Sequence, residues 1–187
     1  MDHIEYYLSE LKTALDTLDR AAVQQARQWV GQTRSEGRQL FLCGNGGSAA
    51  TASHLANDLG KGASYGRPQA SRFRVVALTD NVPWMTALAN DVGYEAIFAE
   101  QLRNLGQAGD LLIAISGSGN SPNVLNAVQV ARDQGMRTIG WCGFGGGKLA
   151  TAVDLPVVVA SHHMGRVEDV HAIMMHLVCY YFMERES

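Results

Sequence analysis

The sequence predicts an α/β fold, a parallel sheet with helices on both faces, preceded by an amphipathic helix. Three observations carry this. Short apolar runs alternate with helical stretches, the runs stop at small-residue loops, and the 20 glycines of the 187-residue chain cluster in those loops. Short buried strands that alternate with helices call for a parallel sheet covered on both sides, because each crossover lays a helix on one face.

The elements follow in order. Ile4, Leu8, Leu11, Leu15 and Leu18 recur every three or four residues, with Glu5, Glu10, Lys12 and Asp16 between them. That periodicity predicts an N-terminal helix whose apolar stripe serves packing or subunit contact. A second helix covers 21–33 and ends near Gly37. Strands are predicted at 39–43, 73–78, 111–115, 137–142 and 155–160. The first stops at Gly44-Asn45-Gly46-Gly47-Ser48, the second at Thr79-Asp80, the third at Ser116-Gly117-Ser118-Gly119 and the fourth at Gly143. Helical stretches at 49–59, 85–88, 94–105, 123–133 and 168–183 lie between or after them. In open sheets of this kind ligands sit beyond the carboxyl ends of the strands.

Composition narrows the function classes. Hydrophobic residues make up 47% and charged residues 18%, which excludes a disordered chain, and a net charge of −3 argues against a broad nucleic-acid or membrane-surface patch. No apolar run approaches the roughly 20 residues a bilayer span needs. Met1-Asp2-His3-Ile4-Glu5 lacks the basic-then-apolar order of a signal peptide. Cys43, Cys142 and Cys179 are too few and too scattered for a disulfide framework or a zinc knuckle. The expectation is one cytoplasmic domain with no nucleic-acid or membrane partner.

Two loops carry chemistry. In Ser116-Gly117-Ser118-Gly119-Asn120-Ser121-Pro122, Ser121 suits a helix N-cap and Pro122 the first helical position. Unpaired N–H groups at that helix start, with three serine hydroxyls, suit a phosphate monoester; the alternative is a plain capped turn. The loop from Gly44 matches G-x-G-x-x-A, but the second strand ends at Asp80, 36 residues on, where a dinucleotide site wants an acid about 20 on. No nucleotide cofactor is therefore expected. Gly145-Gly146-Gly147-Lys148 fails as a P-loop, since Cys142 stands where the first glycine belongs and Leu149 where Ser or Thr belongs.

His54 and Asp58 lie four apart on one helix face. Glu168, Asp169, His171 and His176 crowd an otherwise apolar helix. A histidine in such a helix reads first as a core residue, but two histidines with carboxylates also make a metal site or an acid–base pair. Glu168 and His176 are eight apart, about 12 Å of helical rise, so they share a small site only through a frayed first turn or converging long side chains.

Taken together, Gly44-Asn45-Gly46-Gly47-Ser48, His54 ten residues after Gly44, Ser116-Gly117-Ser118-Gly119-Asn120-Ser121, and Arg166-Val167-Glu168-Asp169-Val170-His171 with His176 resemble the SIS (sugar isomerase) domain family. Within it they are similar to the phosphoheptose isomerases. The likeness covers nearly the whole chain and implies a single SIS domain over 1–187, with a helical segment at 1–37 and an α/β core at 38–187. It also implies a five-stranded parallel sheet and a homotetramer with active sites between subunits.

The resemblance assigns roles. Ser116, Ser118 and Ser121 match serines that hold the sugar phosphate, with Gly117 where the family often has threonine. Asn45, Gly46 and Ser48 would hold phosphate or sugar hydroxyls, and Asp80 and Glu168 would also face substrate. Asp58 stands at the catalytic base, one methylene shorter than the family's glutamate, and His176 at its partner acid. Some members bind zinc, for which the matching residues are His54, Asp58, Glu168 and His176, with Glu168 replacing a glutamine. The implied activity is aldose–ketose isomerisation of a phosphorylated sugar, sedoheptulose 7-phosphate to D-glycero-D-manno-heptose 7-phosphate, through an enediol. The rival readings are a non-catalytic member that binds a protein partner (the DnaA-binding type) and a module that senses a phosphosugar.

Overall fold

Five strands, β1 (Gln39–Gly44), β2 (Arg74–Ala77), β3 (Leu111–Ser116), β4 (Arg137–Cys142) and β5 (Leu155–Val158), pair in parallel in the order β2-β1-β3-β4-β5. The computed structural model describes residues 2–185, so the expected domain limits at 1 and 187 lie outside the described residues. β3 is buried along its whole length, while the edge strands β2 and β5 are shorter and partly exposed. That gradient explains why the middle strands read as unbroken apolar runs.

Side chains alternate across the sheet, as the two-residue strand period demands. Leu40, Leu42, Leu111, Ile113, Ile139 and Trp141 face one core. Phe41, Cys43, Leu112, Ala114 and Cys142 face the other. The first core is covered by α1 (His3–Asp16), α2 (Arg20–Ser35), α3 (Gly47–Asn57) and α8 (Met164–Glu184). The second is covered by α5 (Ala99–Leu105), α6 (Pro122–Asp133) and α7 (Leu149–Ala152), with α4 (Val82–Asp91) packed at its margin. No helix of the described residues is long and apolar enough to cross a membrane.

The expected helix at 94–105 is a 3-10 turn at Tyr94–Ala96 followed by α5, 85–88 lengthens into α4, and α7 was not expected; three further differences bear on the site. The inward face of α1 runs through Tyr7, Leu11 and Ala14 and continues to Leu18 just beyond the helix, leaving Ile4 and Leu8 exposed at 64% and 56%. The helix turns this way because the start of α8 binds the Tyr7 side. The Tyr7 hydroxyl donates to Asp169 at 2.7 Å, and the buried Arg166 guanidinium lies over the Tyr6 and Tyr7 rings, 3.7 Å from Glu10. Next, α8 starts at Met164, four residues before the predicted start, with His163 at its N-cap. Finally, α3 passes into a π-helical turn over Asp58–Gly62, closed by the Ala63 N–H donating to the Asp58 carbonyl at 2.8 Å. Wide turns of this kind often occur at functional sites.

Candidate active site

The chain order reverses between β1 and β3, which are neighbours in the sheet. The loops after these two strands therefore face each other across a crevice, the usual ligand position in doubly wound sheets. Here the crevice is about 240 Å³, lined by Asn45, Gly46, Gly47, Ser48, Ile115, Ser116, Gly117, Ser118, Ser121, Met164 and Glu168. Of the residues expected at the substrate, all but Asp80 line it. Asp80, at the end of β2, accepts instead from Ser53 on the flank of α3 and from Thr79 at 3.2 Å.

Each loop is braced. Gly46 sits at the N-cap of α3 with φ +53°, a conformation that favours glycine, and α3 carries no side-chain cap. Ser121 occupies the N-cap of α6, but its side chain does not cap. Its hydroxyl is instead hydrogen-bonded by Ser116 Oγ at 3.1 Å. Asn120 Nδ2 donates to the Ser118 carbonyl at 2.9 Å, and Asn120 Oδ1 accepts from the Lys148 N–H at 3.1 Å. The failed P-loop segment thus buttresses the serine loop. At Gly119, φ is +67° and a Cβ would strike the Gly146 carbonyl, so only glycine fits. At Gly117 a Cβ would strike the Met164 thioether, which fills the space a larger side chain would need.

No lysine or arginine lines the crevice. Its donors are hydroxyls and the N–H groups that open the uncapped α3, which together suit an anionic oxygen cluster; at α6, Pro122 has no N–H and the Val124 N–H is taken by Asn123 Oδ1. One carboxylate intrudes. Glu168 lies across the start of α3, where a Cβ on Gly47 would meet its Oε1 at 2.5 Å.

The second cluster lies further along α3 and α8. His54 Nε2 is 3.5 Å from Asp58 Oδ2, and the His54 and His176 rings meet edge to face at 5.2 Å. Tyr180 stacks edge-on against His176 at 5.6 Å. His54, Asp58 and His176 each offer a ligand atom, all within 4.8 Å of one another. Two imidazoles and a carboxylate fit a zinc ion with an open position for substrate or water. Among the described residues, Glu168 does not join this group. The early start of α8 puts it in a regular second turn, so its separation from His176 is not shortened by fraying.

Gly47 meets Glu168 and His54 meets His176, so α3 and α8 lie side by side in parallel. The two clusters are thus about two helical turns apart, roughly 10–12 Å by helical rise. Within one chain the crevice and the triad are distinct ends of one helix pair.

His171 lies between these ends on α8 and faces inward, its ring 6.1 Å from that of Trp141. Burial lowers its pKa from 6.5 to about 4, opposed in part by the Cys142 backbone beside the ring. Burial also pushes the thiols of Cys43 up to about 12 and Cys142 up to about 11, which excludes them as nucleophiles near neutral pH. Sequence reasoning missed Met164, Tyr94 and Asn123. An asparagine in the first turn of α6 was a faint signal for Asn123. Met164 was hidden by the adjacent Gly165, which weakens a helical pattern.

The fold and the crevice define an α/β protein with a hydroxyl- and amide-lined crevice at the switch point of a doubly wound sheet. A family model described as the SIS domain matches residues 5–143, and the chain belongs to that family. It is 39% identical over 180 residues to the phosphoheptose isomerase of Roseiflexus sp. (strain RS-1), covering 93% of this chain and 90% of that protein. It is 38% identical to the phosphoheptose isomerase of Aliarcobacter butzleri (strain RM4018), covering 94% and 93%. The solved structure of phosphoheptose isomerase GmhA from Neisseria gonorrhoeae superposes with a TM-score of 0.86 at 32% identity, covering 96% of each chain.

Proposed function

We propose that this chain is a phosphosugar isomerase that converts sedoheptulose 7-phosphate to D-glycero-D-manno-heptose 7-phosphate. The observation that carries the reading is the layout of α3 and α8. A donor-rich crevice opens at one end of this helix pair, and a histidine–carboxylate cluster forms about two turns along it. A linear sugar with phosphate at one end and carbonyl at the other suits such a separation. Relatives about 40% identical over most of the chain, named phosphoheptose isomerases, support the same substrate.

Phosphate would be gripped by Ser116, Ser118 and Ser121, with Asn45, Gly46, Ser48 and the N–H groups opening α3 on the opposite wall. That remote grip holds the reacting carbons in place. Asp58 takes the proton from the carbon beside the carbonyl, giving an enediolate. The proton then returns to the neighbouring carbon, while His176 moves protons between the two oxygens. Asp58 opens the wide turn after α3. A zinc ion held by His54, Asp58 and His176 would polarise the substrate oxygens.

The triad is exposed on its outer side, next to Leu177 at 53% and Tyr180 at 47% exposure. These residues, with the bare Ile4 and Leu8 of α1, support a homo-oligomer, a tetramer by family likeness, whose subunits close the site. The division into a helical segment at 1–37 and a core at 38–187 belongs to the same proposal. Three buried free thiols fit a reducing cytoplasm. The test is replacement of the two acting groups. Asp58→Asn and His176→Ala should each lower kcat by about 10²- to 10⁴-fold with unchanged circular dichroism. Near-full activity in either variant defeats the assignment of roles.

A further inference from the structure

Asn45 lines the crevice, yet most of its side chain is already engaged. Four distances fix how. The Val124 N–H lies 3.0 Å from one side-chain atom of Asn123, and a backbone N–H only donates, so that atom is Oδ1. The same oxygen lies 2.8 Å from Asn45, whose atom there must be the donor Nδ2. The second 2.8 Å contact of the pair therefore runs from Asn123 Nδ2 to Asn45 Oδ1. The Tyr94 hydroxyl, 3.1 Å from that Asn45 oxygen, donates to it as well. One backbone donor thus orders the whole chain of bonds and leaves no freedom in how either amide is turned.

The consequence falls on the crevice. Asn45 Oδ1 accepts two hydrogen bonds, which uses both its lone pairs, and Nδ2 spends one hydrogen on Asn123. One N–H of Asn45 remains uncommitted among the described residues. Were the amide turned over, it would present an acceptor oxygen to an anionic ligand. Asn123 also takes the α6 donor that Ser121 leaves uncapped, which frees the Ser121 hydroxyl for its partner Ser116. Asn123 is 2% exposed, so its amide is held by packing.

We propose that Tyr94 and Asn123 are positioning residues that hold the Asn45 amide so that its free N–H donates to an oxygen of the bound sugar phosphate. The nature of that ligand rests on the isomerase reading; the bond polarity does not. Neither residue touches the reacting carbons, so their effect lies in binding.

The test uses the full chain. Tyr94 is 58% exposed, so Tyr94→Phe removes a hydroxyl with little risk to folding. In the ligand-free protein, this change should shift the Asn45 side-chain NH₂ resonances. Titration calorimetry with sedoheptulose 7-phosphate should show affinity weakened about three- to ten-fold, the value of one hydrogen bond, with unchanged Tm. Turnover should show a rise in KM that exceeds any fall in kcat. Asn45→Ala should weaken binding by at least as much, and Tyr94→Phe should add nothing in that background. Additive losses would mean that Tyr94 meets the ligand itself, and full affinity with unmoved resonances would mean that it positions nothing; either result overturns the proposal. The resonance and binding readouts need no turnover, so binding without isomerisation would count against the isomerase reading alone.

Discussion

Replacing His171 with leucine should change how stability depends on pH. The imidazole is 1% exposed, so burial, opposed only in part by the Cys142 backbone, holds its pKa near 4, against 6.5 in the unfolded chain. Above pH 6.5 both states are neutral and the group adds no pH dependence. As pH falls from 6.5 to 4, the unfolded chain takes up a proton that the folded chain refuses, and stability falls. A shift of about 2.5 units at roughly 1.4 kcal/mol each gives about 3 kcal/mol lost across that window. His171→Leu removes that loss, so its stability should stay flat across the window in which the parent weakens. Urea unfolding at half-unit steps from pH 4 to 8 measures both. The gap between variant and parent should widen steadily below pH 6.5. Parallel profiles would refute the reasoning, because the histidine would then titrate alike in both states. The effect reaches function through α8, since His171 pins against β4 the same helix that carries Glu168 and His176.

Two further outcomes follow from the geometry. Gly119→Ala combines a positive φ with a collision against the Gly146 carbonyl. It should cost roughly 3 kcal/mol or more, seen as a lowered unfolding midpoint with loss of sugar-phosphate binding. Zinc titrated into chelator-treated protein should bind at one site per chain with heat release, and His54→Ala should abolish that site; undiminished binding in the variant would place the metal elsewhere.

The strands were legible because each inner one is apolar on both sides, so 137–142 and 39–43 could be read to within a residue of β4 and β1. Helix ends were harder. The start of α8 carries Met164-Gly165 and a histidine N-cap, none of which signals a helix start. That displaced Glu168 by a full turn and made a frayed end plausible where the helix is regular. The rotation of α1 depends on Asp169 and Arg166, which lie far away in sequence and outweigh a stripe visible locally. Within the candidate site, His54 and Asp58 were legible as a four-residue pair on one helix. Their meeting with His176 depends on α3 and α8 running side by side, which no local spacing encodes, and only the family resemblance pointed to it. The Asn45–Asn123 pair is likewise a tertiary contact, between the loop after β1 and the first turn of α6.

The central claim is proton transfer between adjacent carbons of a phosphorylated seven-carbon sugar, and running the reaction in deuterium oxide tests it most directly. Incubation with sedoheptulose 7-phosphate, followed by NMR, should yield D-glycero-D-manno-heptose 7-phosphate carrying solvent deuterium at C2, with none formed by Asp58→Asn. Saturable binding of the sugar phosphate with no product and no deuterium at either carbon would contradict the account and leave a binding protein in its place.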